Sequence, residues 1–226
     1  MKRVNVEIWS DFACPWCWIA KRRFEKAALG LAGQIEIIVT PKAYRLAKDM
    51  APADFQKVLN QKFGSAAAAE QMMATVAENG AKEGLTYNFG SMRFGDTSDA
   101  HALVKSFGAP EDRQRIIERI YQAYTTDGID IFDREVLDSL ASEMGLSETS
   151  LDLDSPLIAS EIARDEQEAK KIANGVPLFV FNDKFHLSGA REVAVFEKAL
   201  LEAAIDVSEP LDDGAGASCS INGCAI

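Results

Sequence analysis

The 226-residue chain has no apolar run approaching the ~20 residues that a helix needs to cross a bilayer. Its absence argues against a membrane-spanning helix. Basic residues are also scarce: 24 Lys and Arg stand against 35 Asp and Glu, a net charge of −11. Phosphate neutralisation needs the opposite balance, so neither nucleic acid nor an anionic membrane is expected as a partner. Histidine is nearly missing. His101 and His186 are the only two, and neither is spaced for a metal centre or a catalytic triad, which leaves them for the core or its rim. No segment repeats at the period of about 20 to 50 residues that marks a solenoid. The opening MKRVNVEIWSD interrupts any signal-peptide apolar core at Asn5, Glu7 and Asp11, so a cytoplasmic location is expected. Four cysteines are few for a disulfide-stapled scaffold, and in a reducing compartment thiol chemistry or metal binding is their better use.

What is present suffices for a sizeable core, with 47% hydrophobic and 26% charged residues. VNVEIW (4–9) alternates apolar and polar and reads as a strand. A helix is expected from Pro15 to a stop at Gly30, and QIEIIV (34–39) reads as a second strand. Strand, helix and strand in succession imply a βαβ unit with parallel strands and a right-handed crossover. From Asp54 to about Asn174 helical periods dominate, with Asp54, Ser65, Ser98, Asp133 and Ser155 as N-cap candidates. VPLFVFNDKFHLSG then reads as a hairpin turning at Asn182-Asp183, followed by a last helix in REVAVFEKALLEAA. The expected architecture is α/β: βαβ…ββα around one mixed central sheet, with a large all-helical insertion. Residues 1–45 and 170–206 would form the sheet domain, 46–169 the insertion, and 207–226 a flexible tail rich in Gly, Ser and Asp that carries Cys219 and Cys224.

The segment DFACPWC sets two cysteines three positions apart. Cys14 and Cys17 read as a redox couple, as half of a zinc site completed by Cys219 and Cys224, or as two core thiols. A strand that ends near Trp9 and a helix that starts near Cys14 put this cysteine at a helix N-terminus, where unpaired N–H groups and the macrodipole favour a thiolate. Pro15 suits the first helical turn. Cys17, about one turn further in, is within disulfide reach but more shielded. The redox reading therefore makes Cys14 the nucleophile and Cys17 the resolving thiol. Against zinc stands Pro15-Trp16, too bulky for a tight metal knuckle. Trp16 is expected to be exposed enough to touch clients, and Trp9 and Trp18 to lie in the core. Asp11 is expected to hold the loop, to act on Cys14, or to serve as a plain cap.

Taken together, DFACPWCWIAKRRFEKA, GDTSDAHAL, GIDIFDREVLDSLASEMGL, ANGVPLFVFNDKFHLSGA and CSINGC resemble the FrnE-like branch of the DsbA family. The resemblance spans nearly the whole chain and is weakest from Ala43 to Gly90; the chain departs from the pattern at Asp96 and Arg191. It implies a thioredoxin fold with a helical insertion, and protein thiol–disulfide oxidoreductase or isomerase activity. It also implies that Cys14 and Cys17 are the redox pair, that Pro177 is a cis proline beside them, and that the backbone of Val176 meets the bound substrate. Cys219 and Cys224 match a second pair, which suggests a relay. No cofactor or metal is expected. Partners would be client proteins with thiols or disulfides, with glutathione or a thioredoxin-type reductant as co-substrate. Pro-Trp between the cysteines offers the thiolate no imidazole, so a potential between about −270 mV and about −120 mV is expected. The runner-up is a glutathione-dependent isomerase or transferase of the 2-hydroxychromene-2-carboxylate isomerase or kappa type, in which a serine usually stands in the place of Cys14. A zinc-binding or chaperone-like module is the non-catalytic alternative.

Overall fold

The computed structural model describes residues 1–145 and 152–205, together with the backbone of 218–220 and 223–225. β1 (Lys2–Ser10), α1 (Pro15–Gly30) and β2 (Ile35–Ala43) form the expected βαβ unit. The strands pair in parallel from Lys2↔Ile35 to Ser10↔Ala43. β5 (Leu178–Phe181) pairs antiparallel with the other edge of β1, and β6 (Phe185–Ser188) pairs with β5. The sheet order is thus β2-β1-β5-β6, with one parallel and two antiparallel ladders. The β5–β6 turn needs positive φ at its centre, and Asn182 (φ 50°) and Asp183 (φ 57°) adopt it. Their short polar side chains tolerate that region. Asn182 adds a side-chain tie, accepting from the Asn5 N–H and donating to the Ala203 carbonyl.

α8 (Val193–Ile205) closes the sheet domain. Phe24 of α1, Phe179 of β5 and Phe196 of α8 meet with ring centroids 4.6 to 5.7 Å apart, so helix, strand and helix share one aromatic cluster. The polar counterpart is Arg23, which is almost fully buried. It pairs with Glu83 and Glu192 and donates to the Ala190 carbonyl and to Asn79. Every face of that guanidinium is answered, as a buried charge requires.

Between β2 and β5 lie α2 (Phe55–Phe63), α3 (Ala66–Lys82), α4 (Ser98–Ser106), α5 (Pro110–Gln122), α6 (Arg134–Glu143) and α7 (Pro156–Lys170); a π-helical turn, Ala123–Asp127, prolongs α5. The caps follow the sequence at Asp54, Ser65 and Asp133, whose side chains accept from the N–H groups of Lys57, Ala68 and Glu135. Ser98 departs from expectation. It is the first residue of α4, and Thr97 precedes it as the cap without capping, because its hydroxyl is drawn to Asp11 instead. Asp96 takes over by accepting from Ser98 N. The insertion is also not wholly helical. β3 (Ala53–Asp54) and β4 (Arg93–Phe94) pair antiparallel, a ladder too short for any periodic signal.

α7 ties the insertion to β2. Asp165, 1% exposed at its side chain, pairs with Lys105 and Lys42 and accepts from Ala43 N, while its carbonyl takes the Trp9 indole N–H at 2.7 Å. Trp9 and Trp18 are in the core as expected. The flexible tail expected at 207–226 lies outside the described residues, apart from two strand backbones. These are β7 (Ser218–Ser220) and β8 (Gly223–Ala225), which pair with Cys219 opposite Cys224.

Candidate active site

Cys14 is the N-cap residue of α1, with extended dihedrals and no side-chain cap bond, and Pro15 occupies the first helical turn. Backbone bonds shape the turn: Cys14 N–H donates to the Asp11 carbonyl and Cys17 N–H to the Cys14 carbonyl, each at 3.1 Å. The two cysteines are thus one helical turn apart. Both are thiols, Cys14 fully buried and Cys17 nearly so. Burial, and after it the neighbouring Cys14 sulfur, pushes the Cys17 thiol well above its ordinary range. Cys17 is therefore a protonated partner beside Cys14, the asymmetry expected of a resolving thiol.

Opposite the turn, the Val176–Pro177 peptide is cis. The Cys14 Sγ lies 3.7 Å from the Val176 carbonyl, which accepts from it. Pro177 leads directly into β5, so the central sheet positions this contact from one side while α1 positions the cysteines from the other.

Asp11 is buried and fully used. Its Oδ1 accepts from Ala13 N at 3.0 Å and from the Thr97 hydroxyl at 2.7 Å; its Oδ2 accepts from Leu46 N at 2.6 Å. One carboxylate thus joins the cysteine turn, the segment after β2 and the start of α4. Burial pushes its pKa up to about 6, against three hydrogen bonds that hold it down. Two tyrosines brace the same turn. Tyr87 donates to the Pro15 carbonyl at 2.7 Å and Tyr121 to the Asp11 carbonyl at 3.3 Å.

Trp16 corrects the sequence reading. It is 2% exposed and belongs to the main core cluster rather than to the surface. An indole on the first turn of α1 gains more from burying its large apolar face there than from display. Its Nε1 finds no partner among the described residues. His101 is a core residue, its Nε2 3.2 Å from the Tyr44 carbonyl and its ring against Phe12. Burial and Lys105 push it down to about 3, so it stays neutral. His186 lies on β6, half-buried at the rim.

Thr97, Tyr87, Tyr121 and the Leu46 N–H escaped the sequence reading. Thr97 lies within the GDTSDAHAL motif, so a signal existed, while Tyr87 sits in the stretch where the resemblance is weakest. The side chains of Cys219 and Cys224 lie outside the described residues. Among the described residues no group of three metal-ligating side chains is present, and no helix is long and apolar enough to cross a membrane.

The profile of the DSBA-like thioredoxin domain matches residues 5–201. The crystal structure of a probable DsbA oxidoreductase from Streptomyces coelicolor is 31% identical; the alignment covers 99% of either chain with a TM-score of 0.81. The uncharacterised protein YwbO of Bacillus subtilis is 26% identical over 208 residues, 87% of this chain and 96% of YwbO. The cytosolic disulfide reductase DsbM of Pseudomonas aeruginosa, solved with GSH, shares the fold at 16% identity, covering 90% of this chain and 100% of that one with a TM-score of 0.62.

Proposed function

We propose that this chain, which belongs to the DSBA-like thioredoxin domain family, is a protein thiol–disulfide oxidoreductase or isomerase working through Cys14 and Cys17. The observation that carries this reading is the asymmetric pair itself: Cys14 at the start of α1 against the Val176 carbonyl, with Cys17 behind it and held protonated. In the reducing direction the Cys14 thiolate attacks one sulfur of a client disulfide. A Cys14–client disulfide forms and the other client sulfur leaves as thiolate. Cys17, giving up its proton as it attacks, then breaks that mixed disulfide. Two electrons have passed to the client, and Cys14–Cys17 is the disulfide. The reverse sequence oxidises a client dithiol, and both in turn isomerise one.

The Val176 backbone, beside the sulfur, is suited to pair with an extended client segment. Both thiols are covered in the resting arrangement, so a client reaches them through a local opening. Glutathione fits as the co-substrate; DsbM, which shares the fold, was solved with it. A cytoplasmic site of action, where thiols stay reduced, goes with this reading. Loss of the resolving thiol provides the test. Cys17→Ala incubated with a peptide disulfide should accumulate a covalent adduct at Cys14, seen by intact mass and released by dithiothreitol. If no adduct forms while the wild-type protein also leaves the disulfide untouched, the reading fails.

The reading extends to a second pair. The β7–β8 register sets Cys219 opposite Cys224, and β7 lies beside α1, the helix that carries the redox turn. That placement supports a relay in which the tail pair exchanges with the Cys14–Cys17 disulfide. Cys219→Ser with Cys224→Ser should slow reoxidation or re-reduction several-fold. Unchanged rates and potential would remove the tail from the mechanism.

A further inference from the structure

Beside the cysteine turn, a gap with room for about one water molecule is lined by Ala13, Pro15, Leu46, Lys62 and Phe94. Leu46, Lys62 and Phe94 also line an open cleft of about 360 Å³, which Lys48 and Lys170 line as well. The shared residues trace a path from the cleft to the flanks of Cys14, its inner end no wider than a water molecule.

The charge along that path is opposite to that of the protein as a whole. Arg45, at its edge, is satisfied by Glu166, with Nε 2.6 Å from Oε1. Lys48, Lys62 and Lys170 have no carboxylate in ion-pair contact among the described residues. Lys62 is fixed at the junction of cavity and cleft, its Nζ 4.2 Å from the Phe94 ring centroid. Burial pushes that ammonium down, and the groups drawing it back up are Asp11 and the Cys14 sulfur. A half-buried cation without a counter-ion is an unfinished arrangement, and an external carboxylate would recover solvation that it has lost. Lys62 and the exposed Lys48 and Lys170, spread outward from the turn, suit several carboxylates in succession, as a peptide presents them, better than a single small anion. A cleft of one sign on a body of the other also focuses its field on an incoming ligand.

We propose that this cleft binds the segment flanking the client cysteine and selects clients with Asp or Glu side chains near it. The inference rests on the redox reading for the identity of the client as a thiol or disulfide. The preference for an acidic peptide can be tested apart from it.

Rhodamine-labelled peptides of one length, with serine in place of cysteine and Glu, Gln or Lys at the flanks, are titrated with the full chain by fluorescence anisotropy. The Glu peptide should bind about tenfold more tightly than the Gln peptide at low ionic strength, an advantage that about 0.5 M salt removes. Lys48→Gln with Lys170→Gln should also bring the advantage close to unity. Equal affinity for the three peptides, or a preference unmoved by the double variant, overturns the proposal. So does displacement of the probe by S-methylglutathione with no discrimination among peptides, which would assign the cleft to a small thiol. The cysteine forms of the same peptides separate the two ideas. An acidic preference in binding without exchange sinks the redox reading and keeps the cleft, whereas exchange at equal rates on all three does the reverse.

Discussion

Cys14→Ser should lower the rate of disulfide exchange at least about a thousandfold, with the fold intact. A serine oxygen attacks disulfides poorly and forms no mixed disulfide, and Cys17, the other thiol at the turn, is held protonated and so replaces Cys14 poorly as the attacking group. The structural cost is small by the same geometry. The Cys14 Sγ donates to the Val176 carbonyl at 3.7 Å and neighbours the Cys17 thiol, and a serine hydroxyl can serve both contacts. Stability should therefore move by only about 1 kcal/mol, and stopped-flow reduction of a peptide disulfide beside a urea melt separates the two effects. The same variant discriminates between enzyme classes. A glutathione-dependent isomerase would keep or gain activity with serine at position 14, so a Cys14→Ser protein that isomerises a glutathione adduct would move the chain to that class.

Asp11 carries the second large effect, and its sign runs against habit. Burial lifts its carboxyl from the ordinary 3.8 to about 6, a displacement worth about 3 kcal/mol. Between those values the folded protein holds a proton at Asp11 that the unfolded chain has released. The contribution is fully present below about pH 4 and is lost as pH rises through about 6. Urea melts at a series of pH values should show wild-type stability falling relative to Asp11→Asn by about 3 kcal/mol between pH 4 and pH 7. Asn pairs less well with Leu46 N–H, but that deficit does not change with pH. A pH-independent difference would mean that Asp11 stays ionised throughout. The charge that appears above pH 6 also reaches the active site, since it adds to the causes that keep the Cys17 thiol high.

Much of the sheet domain was legible because its signals are local. The alternation in VNVEIW, the stop at Gly30 and the Asn182-Asp183 turn each act within a few residues, and β1, α1 and the β5–β6 hairpin follow them. Cys14 and Cys17 were legible for the same reason: their spacing along one helix fixes their proximity. What stayed hidden is carried by groups without a pattern. Asp11 meets Leu46 N–H across 35 positions and Thr97 across 86, and neither a backbone amide nor a lone threonine advertises a partner. Tyr87 comes to Pro15 across 72. The burial of Trp16 was missed because exposure depends on what distant parts of the chain lay over the turn. The sequence near Trp16 does not contain that information. β3 and β4, two residues each, exist only because the insertion brings Ala53 opposite Phe94.

A redox titration of the full chain in glutathione buffers, read by differential alkylation and mass spectrometry, decides whether Cys14 and Cys17 are a redox couple. Cys14 and Cys17 should lose their alkylatable thiols together, as one two-electron couple, at a potential between about −270 mV and about −120 mV. Accumulation of glutathione on Cys14 with Cys17 still alkylatable, or two thiols that never oxidise, would contradict the redox reading.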